Sequence, residues 1–236
     1  KGKPSFNIPA RRSYVDLIAK PFMPNDEEYG YYFYDINAKI NHKFSDRSRI
    51  YLSVYNGKDH FAANYDGDTD SKDGSTMNWG NTIVSARWNY IFNNRLFSNY
   101  LFDVNSYNNN KYANSMGASI INRYSADYRS GINDWSYQID FDYNPSPAHH
   151  IKFGTGYIYH RFRPEVMTSK ISEKTGDKVD RDTTYHSIAN SRIYGHELSA
   201  YLEDNIKVND RLRLNLGLHF SLFQVQKQSY SSLQPR

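Results

Sequence analysis

The segment Asp66-Gly67-Asp68-Thr69-Asp70-Ser71-Lys72-Asp73-Gly74 sets carboxylates at alternate positions. A hard cation such as calcium is held by several carboxylate and carbonyl oxygens at close quarters, so Asp66, Asp68 and Asp70 are candidate calcium ligands. The loop pattern breaks at its sixth position, Ser71 instead of glycine, and at its twelfth, Met77 instead of a bidentate Glu. A solvated polar loop accounts for the same residues. His149 and His150 are adjacent, so on a strand they point to opposite faces and cannot chelate one ion. His160, His186 and His196 fall near polar stretches where they could meet. Tyr65, Trp79, Tyr107 and Tyr112 are candidates to stack on a ligand, although such rings equally suit a membrane interface.

Asp35, Asp103, Asp140, Asp142, Glu197 and Glu203 fall on the polar parity of alternating segments. Paired carboxylates ~5–10 Å apart can hydrolyse glycosides. Here Lys39, Arg87, Lys152, Lys207 and Arg213 share that parity, and charge pairing in a polar interior is the simpler account. No nucleophile elbow, phosphate loop or dinucleotide fingerprint is present. No catalytic residue and no cofactor are therefore assigned, and the chain is not read as an enzyme.

The elements that position these residues are strands. Tyr34, Ile36, Ala38, Ile40, His42 and Phe44 interleave with Asp35, Asn37, Lys39, Asn41 and Lys43; Leu212 to Leu222 repeats the pattern with Arg213, Asn215, Gly217, His219 and Ser221. Side chains switch faces at every strand residue, so each segment has one polar and one apolar face. About nine such strands are legible: Ser5–Arg12, Tyr31–Phe44, Arg49–Phe61, Trp79–Phe92, Leu96–Tyr107, a sixth centred on Trp135–Tyr143, His150–Phe162, Ile193–Val208 and Leu212–Val225. Tight connections near Asp46, Asn94, Ser146 and Asp210 alternate with long polar stretches at 62–78, 108–127 and 163–192. Even residues carry the apolar face in the second, third, fourth, eighth and ninth strands, odd residues in the sixth and seventh.

Short turns at one end, long loops at the other, and aromatics at strand ends describe an antiparallel up-and-down transmembrane β-barrel wall. A strand of ~13 residues at ~3.3 Å each, tilted ~40–45°, rises roughly 30 Å, enough for the apolar band. Soluble strands average only about 5–6 residues, and no fixed repeat marks a solenoid. Asp204 and Arg161 break the apolar parity; near a membrane border such a charge costs about 0–1 kcal/mol, against ~2–4 at the midplane.

Composition fits the same class. The 236 residues include 22 Tyr, 13 Phe and no Cys, which excludes disulfides and thiolate metal sites. No apolar run is long enough for a spanning helix. The net charge of +4 comes from 29 basic residues dispersed among 25 acidic ones, so nucleic acid is not an expected partner. No basic, apolar leader opens the chain.

Arg11-Arg12-Ser13-Tyr14-Val15-Asp16-Leu17, Tyr31 through Lys39, and Tyr51-Leu52-Ser53-Val54-Tyr55-Asn56-Gly57-Lys58-Asp59 together resemble the barrel of TonB-dependent outer-membrane receptors, those of the Bacteroidetes type most of all. Ser232 to Arg236 resembles the segment leading into the next strand of such barrels. The resemblance implies a barrel of 22 strands around an N-terminal plug, with a TonB box that an inner-membrane motor pulls to admit a scarce nutrient. That nutrient would be a glycan, peptide, siderophore, haem or vitamin.

The expected location is the cell outer membrane. Expected partners are outer-membrane lipid, the rest of the barrel and plug, TonB through the plug region and, as a further capture partner, a surface lipoprotein. No plug, TonB box or barrel-closing strand is recognisable, so residues 1–236 are expected to be a middle part of the barrel. A passive porin or surface adhesin barrel is the alternative.

Overall fold

The computed structural model describes residues 3–24, 27–66, 72–116, 123–175, 178–186 and 192–235. Twelve strands form one antiparallel sheet: β1 (Ser5–Asn7), β2 (Ala10–Arg12), β3 (Glu27–Ser45), β4 (Ser48–Asp66), β5 (Lys72–Asn93), β6 (Leu96–Met116), β7 (Arg123–Ser146), β8 (His149–Thr175), β9 (Lys178–His186), β10 (Ile193–Lys207), β11 (Arg213–Val225) and β12 (Gln228–Pro235). From β3 onward each strand pairs with its successor, except that β9 folds back on β8 and β10 pairs with β8 instead. The order is up-and-down throughout.

Several expected boundaries are corrected. The strand expected over Ser5–Arg12 is two short strands, both paired with β3, because Pro9 has no N–H to donate; its carbonyl still accepts from Asn37 N at 2.9 Å. The stretch after it, which carries no alternating pattern, contains helix α1 (Val15–Ala19) and a 3-10 turn at Lys20–Phe22. The three polar stretches read as long loops are largely strand. The β4–β5 pairing reaches Asp66 and Lys72, β6–β7 reaches Met116 and Arg123, and β8 runs on to Thr175 before the β9 hairpin.

The reason is that hydrophobic alternation reports contact with lipid, whereas backbone pairing continues wherever two strands remain adjacent. Twelve strands among the described residues therefore stand where about nine are expected. The last, β12, includes the Ser232–Pro235 segment that was read as a lead-in.

The four expected tight turns all lie at one end of the sheet. At the first, Lys43 pairs with Asp46 and holds its carboxyl below the usual range. The alternation of short and long connections is not strict. Gln226 and Lys227, at φ 47° and 69°, make a tight turn between β11 and β12 at the opposite end. Such a turn favours Asn-Gly, and neither residue advertises it.

The ladder carries a regular stagger. One row of partners runs Ile40, Leu52, Ala86, Phe102, Tyr137, Tyr157, Leu198 and Leu222. Ile40 and Leu52 lie six residues from Asp46, whereas Leu198 and Leu222 lie twelve from Asp210. Each hairpin thus advances by two residues, or one per strand. With strands ~4.8 Å apart and ~3.3 Å per residue, that stagger tilts the strands by about 35°, inside the range of membrane barrels.

Residues equally distant from their own tight turn consequently share a level. Eight residues up, the outward side chains are Ala38, Val54, Ala86, Phe102, Ile139, Thr155, Leu202 and Leu218, an uncharged and almost wholly apolar ring. Below it stack Trp88 and Tyr100 (5.0 Å) and Phe141 and Phe153 (4.9 Å). Above it Trp135 and Tyr159 form a second aromatic row at 5.7 Å, and Tyr194, higher and opposite Arg161, stacks on Tyr159 at 6.0 Å. Levels four to twelve enclose a band of roughly 22 Å at this tilt, close to the ~25 Å of such walls.

None of the described residues covers this band. Among the described residues only Ala126 is a buried apolar side chain, while Ile36 is 45% and Leu216 57% exposed. Asp204 sits six residues from Asp210, level with the lower aromatics, and pairs with His149 at 2.7 Å. Arg161 lies above the upper row, its guanidinium 5.7 Å from the Trp135 ring. Neither charge is at the band's centre.

This assignment predicts opposite responses at neighbouring positions. Ile139→Arg, at band centre, should destabilise the folded barrel by ~2–4 kcal/mol. Gln138→Arg, on the other face beside Asp140, should change stability by less than about 1 kcal/mol. Denaturant titration of the receptor refolded into vesicles measures both.

Candidate functional site

The polar face of the sheet is graded from end to end. Near the tight turns it is charged. Asp140 accepts from Tyr201 Oη at 2.8 Å, Gln138 Nε2 at 3.0 Å and Asn99 Nδ2 at 3.5 Å. Asp142 pairs with His150 at 2.8 Å. Arg87, Asn89, Asn99, Asp140, Lys152 and Tyr201 help line a hollow of about 320 Å³.

The charge pairing expected here is only partly present. Lys207 pairs with Asp210 in the turn (2.7 Å), Arg87 lies 5.1 Å over the Tyr51 ring, and Asp35 is taken by Arg11. Among the described residues Lys39, Lys152 and Arg213 have no carboxylate partner. All three lie on the polar face of the sheet.

Thirteen residues above the turns the face changes to a belt of acids. Tyr31 Oη donates to Asp59 at 2.8 Å, and Asn105 Nδ2 donates to Asp134 at 3.2 Å. His160 contacts Asp134 through Nδ1 at 2.8 Å and approaches Glu197 through Nε2 at 3.7 Å. Phe162 and Phe223 flank the His160 ring at 5.5 and 6.3 Å. Only Glu197 and His160 of this belt stand out in the sequence. The shared strand parity of Asp59 and Asp134 was the signal that could have found the others.

Higher still the face is aromatic. Trp79 and Tyr107 face the lumen, and Tyr65 lines a hollow of about 490 Å³ with Tyr29 and Tyr124 of the same face. Three of the four aromatic candidates thus share one face. Tyr112 does not: it pairs with Thr76 on the parity of Phe102 and Val104, and so points outward.

The other candidates separate. His160 faces the lumen and His196 faces out, bonded to Tyr157 Oη at 2.7 Å, while His186 bonds Thr168 Oγ1 at 3.3 Å on β9. They do not converge. Asp66 ends β4, and Asp68 and Asp70 lie outside the described residues. Among the described residues no three His, Cys, Asp or Glu side chains are grouped to hold a metal ion.

The fold and its two faces define a class: the wall of a membrane β-barrel. The family described as "TonB dependent receptor-like, beta-barrel" matches residues 14–236, and the chain belongs to that family. Solved structures agree on the fold. BauA, the ferric preacinetobactin receptor from Acinetobacter baumannii, superposes with a TM-score of 0.56 at 11% identity, covering 89% of this chain and 37% of its own. The RagAB peptide importer in its "open-open" state gives 0.60 at 7% identity over 88% of this chain and 29% of that one. Its "closed-closed" state gives 0.57 at 8%, over 89% and 32%. The chain therefore spans about a third of the length of these neighbours. No curated protein matches it.

The chain has no native cysteine, so single cysteines report which rim is which. In intact cells, Tyr29→Cys and Tyr65→Cys should react with a membrane-impermeant maleimide at least tenfold faster than Lys43→Cys and Arg213→Cys. Permeabilising the outer membrane should erase most of that difference.

Proposed function

We propose that the chain is part of a larger receptor barrel that takes up a scarce nutrient across the outer membrane, energised by TonB. Further strands complete the wall, because an open sheet edge in hydrocarbon leaves backbone groups unpaired at several kcal/mol each. A plug fills the lumen, since a barrel of about 22 strands is otherwise too wide to stay selective.

The observation that carries this reading is the gradient along the lumen face. The charged lower tier, with Lys39, Lys152 and Arg213 lacking carboxylate partners among the described residues, suits a polar body seated in the barrel. The upper tier of Tyr29, Tyr65, Trp79, Tyr107 and Tyr124 suits capture of a ligand that stacks and hydrogen-bonds. Glycans and peptides have that chemistry. The acid belt beneath favours neutral or cationic cargo over anions. The likeness to a peptide importer and a siderophore receptor supports uptake in general. A surface lipoprotein over the aromatic mouth is a compatible capture partner. Catalysis is not part of this reading.

Radiolabelled uptake in cells carrying the receptor tests the proposal. Deleting the TonB motor should lower uptake at least tenfold, and Trp79→Ala should lower it while Tyr112→Ala stays within about twofold. Uptake that persists without the motor means a passive pore.

A further inference from the structure

A polar hollow of about 210 Å³ lies over Gly80, where outward residues predominate in its lining. Lys58, Asn56, Asn78, Thr82 and Asn108 surround it. Their parity matches that of Leu52, Val84 and Phe102, so they face lipid and not the lumen. Lys58 is twelve residues and Gly80 fourteen from their tight turns, level with and just above the upper aromatic row. This is headgroup depth.

The hollow exists because position 80 has no side chain. A Cβ there would stand 2.8 Å from the Gly57 carbonyl oxygen. Its chemistry suits an anion. None of its lining residues is acidic, and Lys58 has no carboxylate partner among the described residues. Arg163 donates to Asn108 Oδ1, which brings a second cation to the same row and leaves the Asn108 amide N–H groups to donate. Asn56 Nδ2 is fixed on Thr82 Oγ1 at 2.8 Å. Directly below, Val54, Val84 and Val104 offer a smooth apolar run to acyl chains.

We propose that this hollow binds the phosphorylated sugar headgroup of an outer-leaflet glycolipid, with Lys58 and Arg163 on the phosphate and the acyl chains over the valines. The proposal rests on the outer-membrane reading above. A free phosphosugar would meet the same polar groups but forgo the valine surface, and a lumen ligand would never reach this face.

Native mass spectrometry of the full-length receptor, released from detergent micelles, tests it with three probes. These are bisphosphorylated lipid A, the same lipid A dephosphorylated, and glucosamine 1-phosphate without acyl chains. Wild type should retain bisphosphorylated lipid A at least tenfold better than either other probe. Lys58→Glu should lose that preference, and Lys58→Gln and Asn108→Ala should each weaken binding several-fold.

Heat-modifiable gel mobility reports whether each variant is folded. If Lys58→Glu does not fold, the two milder variants decide. Folded variants that bind lipid A as wild type does, or indifference to dephosphorylation, would overturn the site while leaving the barrel reading intact. Equal retention of glucosamine 1-phosphate would show a soluble-ligand site and would also overturn it. A wild-type receptor that fails to insert into membranes would instead remove the reading beneath it.

Discussion

A backbone N–H or C=O left unpaired in hydrocarbon costs several kcal/mol, and everything else in this sheet follows from avoiding that. Long ladders satisfy the constraint, from the 13 residues of β11 to the 27 of β8. The one-residue stagger between neighbours tilts the strands, and the tilt lets a sheet of this kind curve toward closure. Because the register is fixed, each face keeps a constant identity across all the long strands. A slip of one residue would drive Asp35, Lys39 and Arg213 into lipid, which is why the pairing can be specific without an apolar core.

That division of labour also produces function. The outward face has only to match the bilayer's layers: aromatics at both borders, branched aliphatics between, and polar groups above. The inward face is then free to vary with height. Charges near the tight turns, acids with His160 farther up, and tyrosines toward the opposite end form three chemistries on one scaffold. A ligand entering from the aromatic end would meet stacking surfaces before fixed charge. Rigid strands, not loops, hold most of these groups, so their spacing is set by the ladder.

The middle of each strand was legible because lipid imposes strict alternation there. Ile36, Leu52, Val84, Tyr137 and Leu216 all lie on the expected face. The rims were not legible, since both faces are wet above the aromatic row and Asn108-Asn109-Asn110 reads as loop although it is paired. Tyr112 is separated from the other three aromatics for that reason: once β6 is extended past Tyr107, its even number places it outward. The Gln226–Lys227 turn escaped notice because neither residue is the glycine or asparagine that a left-handed turn favours. Contacts such as His160 with Asp134 and Glu197 depend on three different strands and on register, which no single segment encodes.

The central claim, that one face meets lipid and the other a polar lumen, can be tested with the chain's own three tryptophans. Trp88 and Trp135 lie on the outward face at the lower and upper aromatic rows, and Trp79 lies on the lumen face. Receptor variants retaining one of them as the sole tryptophan would be reconstituted in bilayers containing brominated lipid. Trp88 and Trp135 should be strongly quenched by bromine and little by aqueous iodide, and Trp79 the reverse. Strong bromolipid quenching of Trp79, or a Trp88 reached by iodide and spared by bromine, would contradict the assignment of the two faces.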